Sequence, residues 1–219
     1  TKYSVALQIA LSINARDSAE ARDYALRAAT IVPQGGVVHV DVCDGIYTPH
    51  ITWGDADAWR ALTPKGIKTE VHLMARDWEV RLVPWLEAGM RRVIVPAGMA
   101  DAEDLRRAGD VAARYGAELM PSFSLTDGIT DFLPYAASAA FQILAVSAGR
   151  SGQLFDESAL QKIKSLRALF PNAILEVDGG VTPVVAAQAK DAGADIVVSS
   201  SYIWNAENPK EAYEKLLRI

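Results

Sequence analysis

Residues 38–49 read Val38-His39-Val40-Asp41-Val42-Cys43-Asp44-Gly45-Ile46-Tyr47-Thr48-Pro49. The stretch starts as a buried strand and ends as a polar loop. On a strand, side chains two apart leave the same face, so His39 and Asp41 project together. An imidazole beside a carboxylate on an inward face is costly to bury without a partner. A satisfied core pair would meet that cost, and so would a metal ion or a proton-transfer task. The rest of the chain decides between them.

Outward from this stretch, short Val- and Ile-rich runs alternate with segments of helical period. The runs are Tyr3 to Leu11, Gly36 to Asp41, Lys68 to Leu73, Arg92 to Val95, Glu118 to Pro121, Gln142 to Ser147, Ile174 to Val177 and Ile196 to Ser199. Helices are expected from Asp17 or Ser18 to Ile31, Asp55 to Leu62, Trp78 to Ala88, Ala102 to Tyr115, Ile129 to Ser138, Glu157 to Phe170, Pro183 to Ala192 and Pro209 to Leu217. Strands joined by helical crossovers are parallel and buried on both faces, which explains runs that are nearly continuously apolar. Eight such units in ~200–250 residues fit an α/β fold, a single (β/α)8 TIM barrel over residues 1–219. An open doubly wound sheet is the competing architecture. Its Gly-x-Gly-x-x-Gly turn after the first strand is absent.

Bulk properties narrow the function. The 219 residues are 50% hydrophobic and carry a formal charge of -5, with a pI near 5.2. With no Lys/Arg run, a non-specific nucleic-acid binder is not expected. No apolar run of about 18 residues or signal-peptide pattern is seen, so no membrane association is expected. Cys43 is the sole cysteine, which rules out an intrachain disulfide and suits a cytoplasmic setting.

In such a barrel the active site lies at the C-terminal strand ends. Those ends carry Ser12, His39, Asp41, His72 and Asp178. Two imidazoles and two carboxylates projecting inward make a four-ligand set for a divalent ion, His39, Asp41, His72 and Asp178. One buried histidine is commonly structural, but four such groups at one rim point to chemistry. Gly179 and Gly180 follow the seventh strand, and Ser199, Ser200 and Ser201 follow the eighth. Small residues there let backbone N–H groups approach an anion, at the barrel's usual phosphate position.

With these motifs in place, the chain resembles the ribulose-phosphate 3-epimerase family over essentially its whole length. The family's Ser-Ile-Leu-Ser-Ala-Asp is matched by Ser12-Ile13-Asn14-Ala15-Arg16-Asp17, and its His-Val-Asp-Val-Met-Asp-Gly by His39 to Gly45 with Cys43 in the Met place. Its His-Leu-Met is His72-Leu73-Met74, and its Val-Asp-Gly-Gly-Val is Val177 to Val181. The resemblance implies a barrel of the ribulose-phosphate binding type and a metal-dependent isomerase that epimerises a ketose phosphate at C3. It implies Asp41 and Asp178 as the two proton-transfer groups and a divalent Zn, Mn, Fe or Co ion. Ser12, Met74, Gly149, Gly152, Gln153, Gly179, Gly180, Ser200 and Ser201 would bind substrate. It also implies a homo-oligomer, dimer or hexamer, with Tyr47, Trp53 and Trp59 read as exposed aromatics at a subunit contact or at the site's mouth.

The chain departs from the family in its loops. Asn-Pro-Gly-Phe-Gly-Gly-Gln after strand six reads Ser147-Ala148-Gly149-Arg150-Ser151-Gly152-Gln153, and Gly-Ser after strand eight reads Ser200-Ser201. A family His after strand four is Pro96, and Asn-Pro after strand five is Met120-Pro121. These changes leave open a pentulose or a hexulose phosphate such as allulose 6-phosphate. Related barrels that decarboxylate or condense sugar phosphates carry Asp-x-Lys-x-x-Asp, a spacing absent here. A non-catalytic relative would be expected to have lost one of the two aspartates, and both remain.

Overall fold

A computed structural model describes residues 6–219. Eight parallel strands close on themselves in sequence order: β1 (Gln8–Ile13), β2 (Val37–Cys43), β3 (Lys68–Met74), β4 (Arg92–Pro96), β5 (Glu118–Ser124), β6 (Ala140–Leu144), β7 (Ile174–Asp178) and β8 (Ile196–Ser199). The crossovers are α1 (Ser18–Ile31), α2 (Ala56–Leu62), α3 (Trp78–Glu87), α4 (Ala102–Arg114), α5 (Ser158–Leu169) and α6 (Pro183–Ala192). The short α7 (Ser201–Trp204) and then α8 (Pro209–Leu217) follow β8. The expected (β/α)8 barrel is the observed one.

Local sequence explains the helix starts. Asp17, Asp55, Asp101, Thr182 and Asn208 each accept a backbone N–H from the first turn of their helix. Pro183 and Pro209 follow their caps, where a missing N–H costs nothing. α6 stops at Gly193, whose φ of +110° suits glycine.

The barrel has an oily outside and a mixed inside. Outward strand residues such as Ile9, Leu11, Val38, Val40, Val71 and Val177 join the helices in one large core. Inside, two small apolar clusters form, one around Ala10, Val37, Ile196 and Val198, the other around Ile94, Met120 and Ala140. Between them lie buried polar side chains, Glu70, Gln142 and Glu176 among them.

Several expected boundaries move. β1 begins at Gln8 rather than Tyr3, and residues 3–5 of that expected strand lie outside the described residues. β6 runs Ala140–Leu144, so residues 145–147 belong to the loop. Ile129–Tyr135 is a 3-10 helix instead of an α-helix reaching Ser138. Pro134 lies within it, and a proline there has no N–H to give an α-helical ladder. Trp59, read as exposed, is fully buried, with Trp53 tilted against it at a 6.3 Å centroid separation. Among the described residues, no helix is long and apolar enough to cross a membrane.

Candidate active site

The parallel register sets the site. Asp41 on β2 stands beside His72 on β3, and His39 stands beside Ser12 on β1 and Glu70 on β3. β7 brings Asp178 in from across the barrel. His39, Asp41, His72 and Asp178 each offer a ligand atom, and those atoms lie within 4.8 Å of one another. His39 Nε2 is 3.3 Å from Asp41 Oδ1 and 4.0 Å from Asp178 Oδ2, and His72 Nδ1 is 3.8 Å from each of the same oxygens. Ligands ~2.0–2.2 Å from a tetrahedral ion stand about 3.4 Å apart, so these separations are of coordination size.

His72 supplies the sharper test of fit. Both of its ring nitrogens are buried and neither has a hydrogen-bond partner. A buried polar group without a partner carries a desolvation cost, which is met when a cation sits before its lone pair. The donor set of two imidazoles and two carboxylates also suits a divalent transition ion. The residues fit a metal.

Electrostatics agree with strong coupling. Burial disfavours a charged His39, yet Asp41 and Glu70 outweigh it and hold the imidazole pKa well above its usual value. Burial likewise favours a neutral Asp41, but the two histidines and the Ser12 hydroxyl hold its pKa down. Ser12 Oγ donates to Asp41 Oδ2 at 2.8 Å, so Ser12 orients an aspartate. Cys43, the next inward residue on β2, is buried, and its thiol is pushed up to about 12. It is no thiolate nucleophile.

A cleft opens to solvent above the cluster. Asp41 and Asp178 form part of its floor, with Ser12 and Met74 on its walls. Gly149, Gly152 and Gln153 from the loop after β6, Gly179 and Gly180 after β7, and Ser200 and Ser201 after β8 line it too. All the substrate-facing candidates therefore meet at one opening. Gly179 and Gly180 have φ of +109° and +68°, and a Cβ would collide with the Val146 side chain and the Phe155 backbone respectively. Gln153 plays a more local part than expected: its amide donates to the Ser147 and Arg150 carbonyls at 2.7 Å each, stapling its own loop. Arg150 also lines the cleft. Tyr47 lies in an adjoining depression with His72, Pro96 and Ser122, so it borders the site's mouth.

One group escaped the sequence reading. Glu70, Arg92, Gln142 and Glu176 form a buried chain directly under the cluster. Glu70 faces His39 Nδ1 at 2.9 Å, Arg92 donates to Glu70 at 2.8 Å and to Glu176 at 3.4 Å, and Gln142 donates to Glu176 at 3.0 Å. Burial and the Glu70 charge push the Glu176 carboxyl up to about 8. The signal was the same two-residue period: Glu70 precedes His72 by two, and Glu176 precedes Asp178 by two.

Fold and rim chemistry together put the chain among the (β/α)8 barrel enzymes. The match is more specific than that. The model of the ribulose-phosphate 3 epimerase family matches residues 8–204, and the chain belongs to this family of isomerases. It is 31% identical to the ribulose-phosphate 3-epimerase of Mycobacterium leprae over 219 residues, 96% of this chain and 93% of that one. It is 35% identical to the Synechocystis enzyme of the same name over 187 residues, covering 80% and 78%. Among solved structures it is similar to 3-hexulose-6-phosphate synthase from Salmonella typhimurium, with a TM-score of 0.74, 14% identity and 97% of each chain covered. Orotidine 5'-phosphate decarboxylase from Pyrococcus horikoshii OT3 gives 0.67 at 16% identity, covering 96% of this chain and 97% of that one. At such identities the likeness is one of fold.

Proposed function

We propose that this chain epimerises a ketose phosphate at C3, ribulose 5-phosphate to xylulose 5-phosphate or the corresponding change in a hexulose phosphate such as allulose 6-phosphate. The observation carrying this reading is the pair Asp41 and Asp178, delivered from opposite sides of the barrel to one cation-sized cluster beneath an open cleft.

Epimerisation removes a proton from one face of C3 and returns one to the other. One aspartate, as carboxylate, takes the proton, and the bonding pair delocalises onto the C2 oxygen to give an enediolate. The second aspartate, as carboxylic acid, donates from the opposite face. After turnover the two have exchanged protonation states, so the same pair serves the reverse reaction. Ser12 keeps Asp41 turned toward the cleft. Met74 walls the reacting carbon from water. His39, Asp41, His72 and Asp178 would hold a divalent ion, whose chemistry is electrostatic stabilisation of the charge that collects on the substrate oxygens.

The glycine and serine loops after β6, β7 and β8 form the anion end of the cleft, where the phosphate would sit. Arg150 stands among them on an exposed turn, so its contribution is to binding. Arg150→Ala is expected to raise KM about 5- to 10-fold with kcat within twofold, the size of a charge-assisted hydrogen bond at an exposed site. Steady-state kinetics check this, and an unchanged KM removes Arg150 from phosphate recognition.

The function itself is tested by solvent exchange. Metal-loaded protein in D2O, given ribulose 5-phosphate or allulose 6-phosphate, is expected to place deuterium at C3 of one of them, read by NMR. The sugar with faster exchange identifies the substrate class. Absence of exchange with both would refute C3 proton abstraction.

A further inference from the structure

Glu70 lies beneath the four-residue cluster, away from the cleft. Its Oε1 is 2.9 Å from His39 Nδ1, and its Oε2 accepts from Arg92 Nη1 at 2.8 Å. Both acidic and imidazole side chains are buried, 2% and 0% exposed. Arg92 is itself clamped by Glu176 at 3.4 Å and Glu118 at 3.1 Å.

Donor and acceptor chemistry then fixes the position of a hydrogen. A guanidinium only donates, so the carboxylate beside it is held ionised and has only lone pairs to offer. His39 Nδ1 must carry the hydrogen. In the neutral ring that a cation requires, the lone pair is then left at Nε2, the nitrogen that faces Asp41 and Asp178 at 3.3 and 4.0 Å. His72 has no such brace, since neither of its nitrogens finds a partner. Glu70, Glu176 and His39 are also close enough together to hold an ion. The Arg92 guanidinium already sits between those two carboxylates, at 2.8 Å from Glu70 and 3.4 Å from Glu176, so that trio is served by a side-chain cation.

We infer that Glu70, braced by Arg92, is a positioning residue that fixes the tautomer and orientation of His39 so that Nε2 is presented to a divalent cation. This rests on the reading of the cluster given above. A partner of this kind on a ligating histidine orients the ring and raises its basicity.

The isosteric Glu70→Gln change makes the inference sharp. Arg92 can only donate, so the single amide oxygen turns to Arg92 and the NH2 turns to His39. Nδ1 then becomes an acceptor, the hydrogen moves to Nε2, and the nitrogen facing the cation loses its lone pair. Zinc is the probe, with affinity measured by chelator competition and the hydrogen located by 15N NMR of the zinc-loaded wild type. The expected result is hydrogen on His39 Nδ1 in the wild type and a zinc dissociation constant raised about 10- to 100-fold in Glu70→Gln. Glu118→Gln, which alters the same arginine from its exposed side, is expected to leave zinc affinity unchanged. The NMR measurement needs no variant, so a misfolded Glu70→Gln does not rescue the idea. Hydrogen on Nε2 of zinc-loaded wild type, a change below threefold in Glu70→Gln, or an equal loss in Glu118→Gln overturns the positioning role while leaving the metal cluster standing. Failure of the wild type to bind zinc, cobalt or manganese overturns both.

Discussion

Replacing Asp178 by Asn is expected to lower kcat about 10²–10⁴-fold, the usual worth of a positioned acid or base, while the folded barrel persists. The amide is nearly isosteric and keeps an oxygen in place, so the lost capacity is proton transfer. Asp41→Asn is expected to fall at least as far, because it also disturbs the contact with Ser12. In the proposed mechanism inversion needs both carboxylates, so the double variant is expected to invert little more slowly than either single one. The two variants differ in what survives. With one aspartate left, a proton can be taken from one epimer and returned to the same face. Each single variant is therefore expected to exchange deuterium into only one of the two C3 epimers, the opposite one in the other variant, without inverting it. Inversion at more than a tenth of the wild-type rate in either variant would defeat the two-carboxylate mechanism.

The largest stability effect is expected inside the barrel. Arg92→Met removes the cation between Glu70 and Glu176, both buried. Breaking a buried ion pair by deleting one partner costs about 3–5 kcal/mol, because the remaining charge stays desolvated. The Glu176 carboxyl, pushed up to about 8, is largely neutral at pH 7, so most of the penalty falls on Glu70. His39 offsets part of it, which favours the lower half of that range. For a chain of this size, about 3–4 kcal/mol lowers Tm by roughly 6–16 °C. Adding Glu176→Leu is expected to recover part of the loss, since apolar groups can replace buried ion pairs at little cost. A melt of Arg92→Met within 2 °C of wild type would show that the layer contributes no net stability.

How much of this was readable in advance depended on which residues have an alternative explanation. His39, Asp41, His72 and Asp178 stood out because each interrupts an apolar strand within four residues of its C-terminal end, and barrel strands point that end at the site. The gathering of the cleft followed from the same rule, strand by strand. Glu70, Gln142 and Glu176 obey the identical two-residue period but sit one step deeper, where the expectation of an oily interior hid them. Their partner Arg92 opens its strand, at the end of the barrel away from the expected site. Its guanidinium crosses the barrel to Glu176, 84 residues away, a contact no local pattern announces. Trp59 failed for a related reason. An aromatic among polar neighbours reads as exposed, while the helix carrying it turns that face onto the core.

The closure of β1 has a consequence for how the chain comes off the ribosome. β1 is the first of the eight strands to be made, and one of its two ladders is with β8. The Tyr213 hydroxyl on α8 donates to the Ile9 carbonyl across 204 residues, and Trp204 Nε1 on α7 donates to the Ser12 carbonyl across 192. Until those distant segments emerge, one edge of β1 offers free peptide groups to any passing strand, the circumstance in which nascent sheets aggregate. Ser12 also donates to Asp41, so the same late event that seals the barrel completes the backbone around a carboxylate of the cluster. A nascent chain held before α7 is made has every residue of the imidazole and carboxylate cluster yet lacks the clasp that finishes its first strand.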